Sequence, residues 1–203
     1  VGDQALSANT TADNNTAIGY KSLVSNTSGS ENTAVGSLAL DASTTATFNT
    51  SIGYFSSSAL TTGGFNTVVG GNALTNSTDG VNNVSIGYNS LNQNTSGQEN
   101  VAVGFAALDA NTTGTLNTAI GTNALTSATT VSRQVAVGNG ALQSCTTGPD
   151  NNALGHGSLN SVTTGGFNTG LGHSAAPSLT TGSSNIAIGH TSLNLNQTGS
   201  FNC

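Results

Sequence analysis

Asn15-Thr16-Ala17-Ile18-Gly19 returns every 17 residues along the whole chain, without an insertion or a deletion. Its glycine recurs at Gly2, Gly19, Gly36, Gly53, Gly70, Gly87, Gly104, Gly121, Gly138, Gly155, Gly172 and Gly189. A fixed period near 20 residues marks a solenoid, in which each repeat is one turn of the chain and contacts only its neighbours. The expected architecture is therefore all-β: a parallel β-roll or β-solenoid of twelve 17-residue coils, forming a single repeat domain over residues 1–203. The coils start at Asn15, Asn32, Asn49, Asn66, Asn83, Asn100, Asn117, Gln134, Asn151, Asn168 and Asn185.

With the recurring Asn as position 1, position 4 is always aliphatic: Ile18, Val35, Ile52, Val69, Ile86, Val103, Ile120, Val137, Leu154, Leu171 and Ile188. Position 2 alternates between Thr (Thr16, Thr33, Thr50) and Val or Ile (Val84, Val101, Ile186). Alternate residues of a strand share a face, and β-branched residues suit strands. Positions 1–4 thus read as a strand whose even face is the core, ended by a glycine with φ > 0. Position 9 is Leu in most coils, from Leu6 to Leu193, behind a small Ala or Ser at position 8, and predicts a second inward-facing strand. Where position 9 is Ser57 or Ala176, a Leu follows three residues later, at Leu60 and Leu179. The small residues at positions 3 and 8 read as flat faces suited to close packing against another chain.

Positions 12–15, as in Asn26-Thr27-Ser28-Gly29 and Asn111-Thr112-Thr113-Gly114, carry turn chemistry. The position-1 amides Asn15, Asn32, Asn49, Asn66, Asn83, Asn100, Asn117, Asn151, Asn168 and Asn185 are placed to form a hydrogen-bonded ladder along the axis. The stretch Asn26–Glu31 reappears as Asn94–Glu99, four coils on, as a block duplication would leave it.

Composition narrows the function. Charged residues are 5%, hydrophobics 34%, and the net charge is −6 with Lys21 and Arg133 the only strong bases. That leaves no electrostatic footprint for nucleic acid or for an anionic membrane surface. No apolar run is long enough to span a bilayer as a helix, and no basic-then-apolar leader opens the chain. The chain begins and ends inside repeats, as a mature product or excised segment would. Cys145 and Cys203 are more than three coils apart, beyond disulfide reach at ~4.8 Å per coil. Cys145 reads as a small apolar filler, and Cys203 as a thiol able to bridge to another chain.

Candidate sites are few. His156, His173 and His190 fall at position 6 of consecutive coils, a column of the commonest transition-metal ligand. The same position holds Tyr20, Tyr54, Tyr88 and Phe105, so a solvent-facing decoration explains the histidines as well. These aromatics, with Phe48, Phe65, Phe167 and Phe201 at position 17, are candidate contacts for sugar rings or a partner, or covers for an edge or seam. The Thr columns at positions 13 and 14 invite an ice-binding reading. Adjacent residues on a strand face opposite ways, however, leaving one exposed row. Asn-x-Ser/Thr sequons at Asn26, Asn76, Asn94 and Asn111 follow from the turn composition. No nucleophile, base and acid come together, so the chain reads as non-enzymatic, with no cofactor or metal requirement.

Runs such as Asn32-Thr33-Ala34-Val35-Gly36 and Asn185-Ile186-Ala187-Ile188-Gly189 resemble the head repeats of YadA-like trimeric autotransporter adhesins. The longer unit from Asn100 to Gly114 resembles repeat regions of phage and virus tail fibres. The resemblance implies a left-handed parallel β-roll, a homotrimer around one axis, and a place on the cell surface, outside the cell or on a virion tail fibre. It also implies a cell-surface or glycan receptor. The adhesin repeat is usually shorter than 17 residues, and no coiled-coil stalk, membrane anchor or chaperone-like domain appears here. The leading expectation is a non-enzymatic structural fibre or adhesin segment forming a stiff rod for attachment. Two alternatives are a subunit polymerising end to end, since the chain is one residue short of twelve full coils, and an ice-binding solenoid.

Overall fold

The structure is a computed structural model that describes every residue from Val1 to Cys203. It is an all-β solenoid with one three-residue strand per coil. The strands are β1 (Thr16–Ile18), β2 (Thr33–Val35), β3 (Thr50–Ile52), β4 (Thr67–Val69), β5 (Val84–Ile86) and β6 (Val101–Val103), followed by β7 (Thr118–Ile120), β8 (Val135–Val137), β9 (Asn152–Leu154), β10 (Thr169–Leu171) and β11 (Ile186–Ile188). They form one 11-stranded parallel sheet in sequence order. Each strand pairs with the equivalent residues of the next coil, as Thr16 with Thr33 and Ile18 with Val35. At the usual interstrand spacing the sheet is about 50 Å long.

The glycine at position 5 closes each strand for two reasons. At Gly19 φ is +135°, a region that L side chains rarely adopt. A Cβ there would also lie 2.4 Å from the carbonyl oxygen of Gly36 in the next coil.

The second strand expected around position 9 does not form; positions 6–11 are a run of turns. The reason is backbone hand. Residues at positions 7 and 9 have positive φ, as at Lys21 (55°) and Leu23 (50°), and such alternation cannot continue a pleated strand. The leucines do point inward as expected: Leu23, Leu40, Leu74, Leu91, Leu108, Leu125, Leu142 and Leu159 are fully buried. Holding an L-residue in this region costs about 1–2 kcal/mol, and burying a Leu side chain returns about 1.5–3 kcal/mol. The run is still bonded along the axis: Lys21 N–H donates to Asp3 O (2.9 Å) and Leu23 N–H to Ala39 O (3.1 Å).

The two faces of the strand are reversed relative to the sequence reading. Position 3, not positions 2 and 4, points into the coil: Ala34, Ser51, Val68, Ala102 and Ala119 are fully buried. Ile18, Val35, Ile52, Val69, Ile86, Val103, Ile120, Val137, Leu154, Leu171 and Ile188 lie on the outer face of the sheet, with Ile18 47% and Ile120 39% exposed. The cause is the thinness of the coil. Positions 3 and 8 face each other across it, close enough for Ser51 Oγ to donate to Ser56 Oγ at 2.8 Å. Even at Gly170 an added Cβ would stand 2.8 Å from Leu159 Cγ. An Ile at position 3 has no room. The small residues therefore pack inside the chain rather than forming faces for another one.

Position 12 completes the core. It holds Asn26, Leu60, Asn94, Asn111, Cys145, Val162 and Leu179, all fully buried. In the coils where position 9 is Ser57 or Ala176, the Leu at position 12 fills the vacated volume. The anchor moves within the coil while the enclosed volume is kept.

Candidate functional site: the outer sheet face and its bordering columns

The position-1 asparagines are buried rungs of one ladder, the mechanical spine of the coil stack. Asn49 Oδ1 accepts from both the main-chain N–H (3.0 Å) and Nδ2 (3.0 Å) of Asn66. Asn66 Nδ2 also donates to Gly80 O at 2.9 Å, tying the strand to the turn across the coil. The pattern runs through Asn15, Asn32, Asn49, Asn66, Asn83 and Asn100. It continues by way of Asn117 and Gln134 to Asn151, Asn168 and Asn185. Each buried rung donates from its side-chain amide to at least two oxygens, except Asn117, which donates once, to Val131 O, and this near-complete pairing is why a polar column survives in so thin a core.

The outer sheet face carries two parallel columns. One is Thr16, Thr33, Thr50, Thr67, then mainly Val, Thr and Ile; the other is the aliphatic position-4 column. Neither holds a charged residue. At three residues across and about 50 Å long, the face projects roughly 500 Å². The position-4 half of that area is aliphatic throughout, and the position-2 half mixes Thr with Val, Ile and Asn152.

Positions 17 and 6, on the two flanks of each strand, border this face. Phe48 and Phe65 stack with centroids 4.9 Å apart and planes 8° from parallel. Tyr88 and Phe105 stack at 5.9 Å, and Tyr54 meets Phe55 edge-on at 4.6 Å. Tyr20 lies under the ammonium of Lys21, 5.3 Å from the ring centroid. In the stacked pairs one face of each ring is used on the other, yet the rings stay about half exposed, and Phe167 and Phe201, without a stacking partner, are more exposed still.

His156, His173 and His190 form the expected column. Their rings stack at 4.9 and 5.0 Å with planes 7° and 12° from parallel. Parallel rings present their nitrogens side by side rather than toward one point. No group of three or more His, Cys, Asp or Glu side chains is arranged to hold a metal ion, and no cavity opens in the surface.

Cys145 and Cys203 are free thiols. Cys145 is buried, and that burial pushes its thiol up to about 11. The Thr columns at positions 13 and 14 lie in a turn, not a strand, so both rows reach the surface, as at Thr112 and Thr113. The position-13 hydroxyls are spent along the axis: Thr27 Oγ1 donates to Thr44 O at 3.1 Å and Thr95 Oγ1 to Thr112 O at 3.0 Å. Arg133 and Asp150, both at position 17, form the one salt bridge, two-pronged at 2.7 and 2.9 Å.

The outer-face columns were the feature the sequence misplaced. Their β-branched residues were visible, but no local signal says which face of a strand a thin coil encloses. No helix is long and apolar enough to cross a membrane. Comparison with known proteins returns no match: no protein-family model, no curated protein and no solved structure resembles the chain at a significant level.

Proposed function

We propose that this chain is a non-enzymatic structural segment of a fibre, a stiff rod built by packing copies of the chain along their outer sheet faces. The observation that carries this reading is the exposed aliphatic column from Ile18 to Ile188, beside a Thr/Val/Ile column free of charge. Each half-exposed Ile or Val that becomes covered contributes on the order of 1 kcal/mol, repeated once per coil. The partner that keeps both columns covered along the whole sheet must itself repeat every ~4.8 Å on a parallel axis. A second copy of this chain does so. Three copies around one axis is the arrangement that the resemblance to trimeric adhesin heads and tail-fibre repeats implies. Attachment at a cell or virion surface follows from the same resemblance, with many weak contacts adding through repetition.

Native mass spectrometry and sedimentation of the chain, alongside an Ile86→Lys/Ile120→Lys variant, test the reading. Both side chains point outward, so the variant keeps its far-UV circular dichroism and falls to a single chain while the parent sediments as three. A parent that stays a single chain at tens of micromolar sinks the proposal, as does a variant that assembles unchanged. Mass that grows without limit with concentration favours the end-to-end filament.

Ice binding is a second reading, supported by the two surface rows at positions 13 and 14, as in Thr146-Thr147 and Thr163-Thr164. Thermal hysteresis lost on Thr147→Lys would favour it.

A further inference from the structure

The asparagines that build the core also sit in sequons. Asn26-Thr27-Ser28, Asn49-Thr50-Ser51, Asn83-Val84-Ser85, Asn94-Thr95-Ser96 and Asn111-Thr112-Thr113 each satisfy the Asn-x-Ser/Thr acceptor rule. All five asparagines are buried, at 0 or 1% exposure. The atom that N-glycosylation modifies, Nδ2, is the atom that each uses to hold the coil. Asn26 Nδ2 donates to Asn9 Oδ1 (3.0 Å) and Gly29 O (2.9 Å). Asn49 Nδ2 donates to Asn32 Oδ1 (3.1 Å) and Gly63 O (3.0 Å), and Asn83 Nδ2 to Asn66 Oδ1 (3.3 Å) and Gly97 O (3.0 Å). Asn94 Nδ2 donates to Gly97 O (3.1 Å), and Asn111 Nδ2 to Asn94 Oδ1 (2.8 Å) and Gly114 O (3.2 Å).

We infer that glycan attachment and folding exclude one another at these five asparagines, so that the chain reaches its fold only where asparagine is spared oligosaccharide transfer. The transfer joins Nδ2 to C1 of the first sugar of a lipid-linked oligosaccharide pyrophosphate. The lipid pyrophosphate leaves, and one Nδ2 proton goes to a base. Four of the five asparagines use two donated hydrogen bonds and would keep one. Space is the harder limit. A single carbon added at Gly97 would stand 2.3 Å from Asn94 Oδ1 and 2.8 Å from Asn111 Nδ2, and one at Gly80 would stand 3.1 Å from Asn83 Nδ2. Where one carbon does not fit, a sugar ring does not.

The exposed sequons behave differently. Asn76 (Asn76-Ser77-Thr78) and Asn14 (Asn14-Asn15-Thr16) lie on the surface, so the finished coil tolerates a glycan at either; the remaining two sequons, Asn9 (Asn9-Thr10-Thr11) and Asn196 (Asn196-Gln197-Thr198), are partly exposed in the end coils and are kept in the variant below. The inference rests on the fold alone and stands whether or not the fibre reading does. For a rod displayed outside a cell, it selects a route that folds the chain before, or apart from, asparagine glycosylation.

The test is expression of the full chain in an N-glycosylating eukaryotic host, once in the cytosol and once behind a secretory leader. A variant, Ser28→Ala/Ser51→Ala/Ser85→Ala/Ser96→Ala/Thr113→Ala, is expressed both ways. It deletes the five acceptor sequons and keeps every asparagine. Ser51 and Ser85 occupy position 3, where Ala34, Ala102 and Ala119 already stand, and the other three are at position 14 outside the core. The expected result is a protease-resistant chain from the cytosol for both proteins. The secreted parent is expected to carry glycans removable by peptide-N-glycosidase and to be digested at least tenfold faster, and the secreted variant to regain resistance. A secreted parent that is protease-resistant while carrying glycan at any of the five asparagines overturns the inference, whereas a resistant fraction that lacks glycan at all five supports it. So does a variant that folds in the cytosol but is no better than the parent when secreted.

Discussion

Asn83 Oδ1 accepts two hydrogen bonds from Asn100 in the next coil, one from its main-chain N–H at 3.0 Å and one from its Nδ2 at 3.3 Å. One side chain thereby replaces a backbone carbonyl as acceptor and aligns the neighbouring amide for the next rung. Asn83→Ala removes these bonds and leaves the Asn100 N–H without its acceptor in the core. It should lower stability by about 2–3 kcal/mol, read as a shift of the urea midpoint. The chain contains its own milder variant at Gln134. That residue accepts from the Asn151 N–H at 3.2 Å and donates to Gly148 O at 2.9 Å, while its longer arm leaves the side-chain rung to Asn151 unmade. Gln134→Asn should raise stability by roughly 0.5–1.5 kcal/mol; a neutral or destabilising effect would show that the rung contributes nothing there.

Ser57 and Leu60 share one volume. Leu60→Ala opens a cavity beside a small residue and should cost about 2–5 kcal/mol. Ser57→Leu overpacks the same space and should cost about 1–3 kcal/mol. The double variant Ser57→Leu/Leu60→Ala rebuilds the arrangement of the Leu125–Ala128 coil, both of which are buried. It should recover most of the loss. Simple additivity of the two single effects in a double-mutant cycle would refute the shared volume.

Asp109 sits at position 10, and partial burial pushes its carboxyl above the ordinary value of 3.8. The folded chain holds that proton more tightly than the unfolded chain does. Stability therefore falls as pH rises through the raised folded value, and the penalty is complete above it. Asn stands in the same column at Asn92 and Asn160, so Asp109→Asn fits. Its melting temperature should exceed the parent's at pH 7, with the gap closing below the ordinary carboxyl value. The exposed Asp79→Asn controls for net charge. A gap of equal size at pH 3 and pH 7 would assign the gain to something other than ionisation.

Cys145 is fully buried, with its thiol raised to about 11 by burial and its Sγ near Gly148 O at 3.5 Å. At pH 8 a thiol reagent should modify Cys203 promptly and Cys145 only on unfolding. Two equivalents consumed in native buffer would contradict the packing of that column.

Much of this was legible in the sequence because translational repetition magnifies weak local signals. The period, the parallel register, the Asn ladder and the buried leucines all follow from columns such as Asn15 to Asn185 and Leu23 to Leu159. What could not be read was which side of the strand is enclosed. Alternation at Thr16-Ala17-Ile18 defines two faces and does not label them, and the bulkier face was taken as the core. The label depends on coil thickness, set by position 3 against position 8 and by left-handed residues such as Leu23, which no propensity flags. The turn at Thr112-Thr113 was legible from its composition, but the single exposed row expected from strand geometry does not apply to it, and both rows reach the surface. The histidine column was placed correctly, but ring orientation, which decides between a chelate and a stack, is a rotamer fact.

The strand pairing joins each residue to its equivalent 17 positions away, from Thr16–Thr33 to Leu171–Ile188. The chain is thus a ruler whose graduations are interchangeable. Duplicating or deleting whole coils changes its length in steps of ~4.8 Å and creates no new kind of contact. A single-residue insertion instead misaligns every column at one level at once. Selection can edit such an object only in units of one full period, and the reappearance of Asn26–Glu31 as Asn94–Glu99 is what growth by such editing leaves behind.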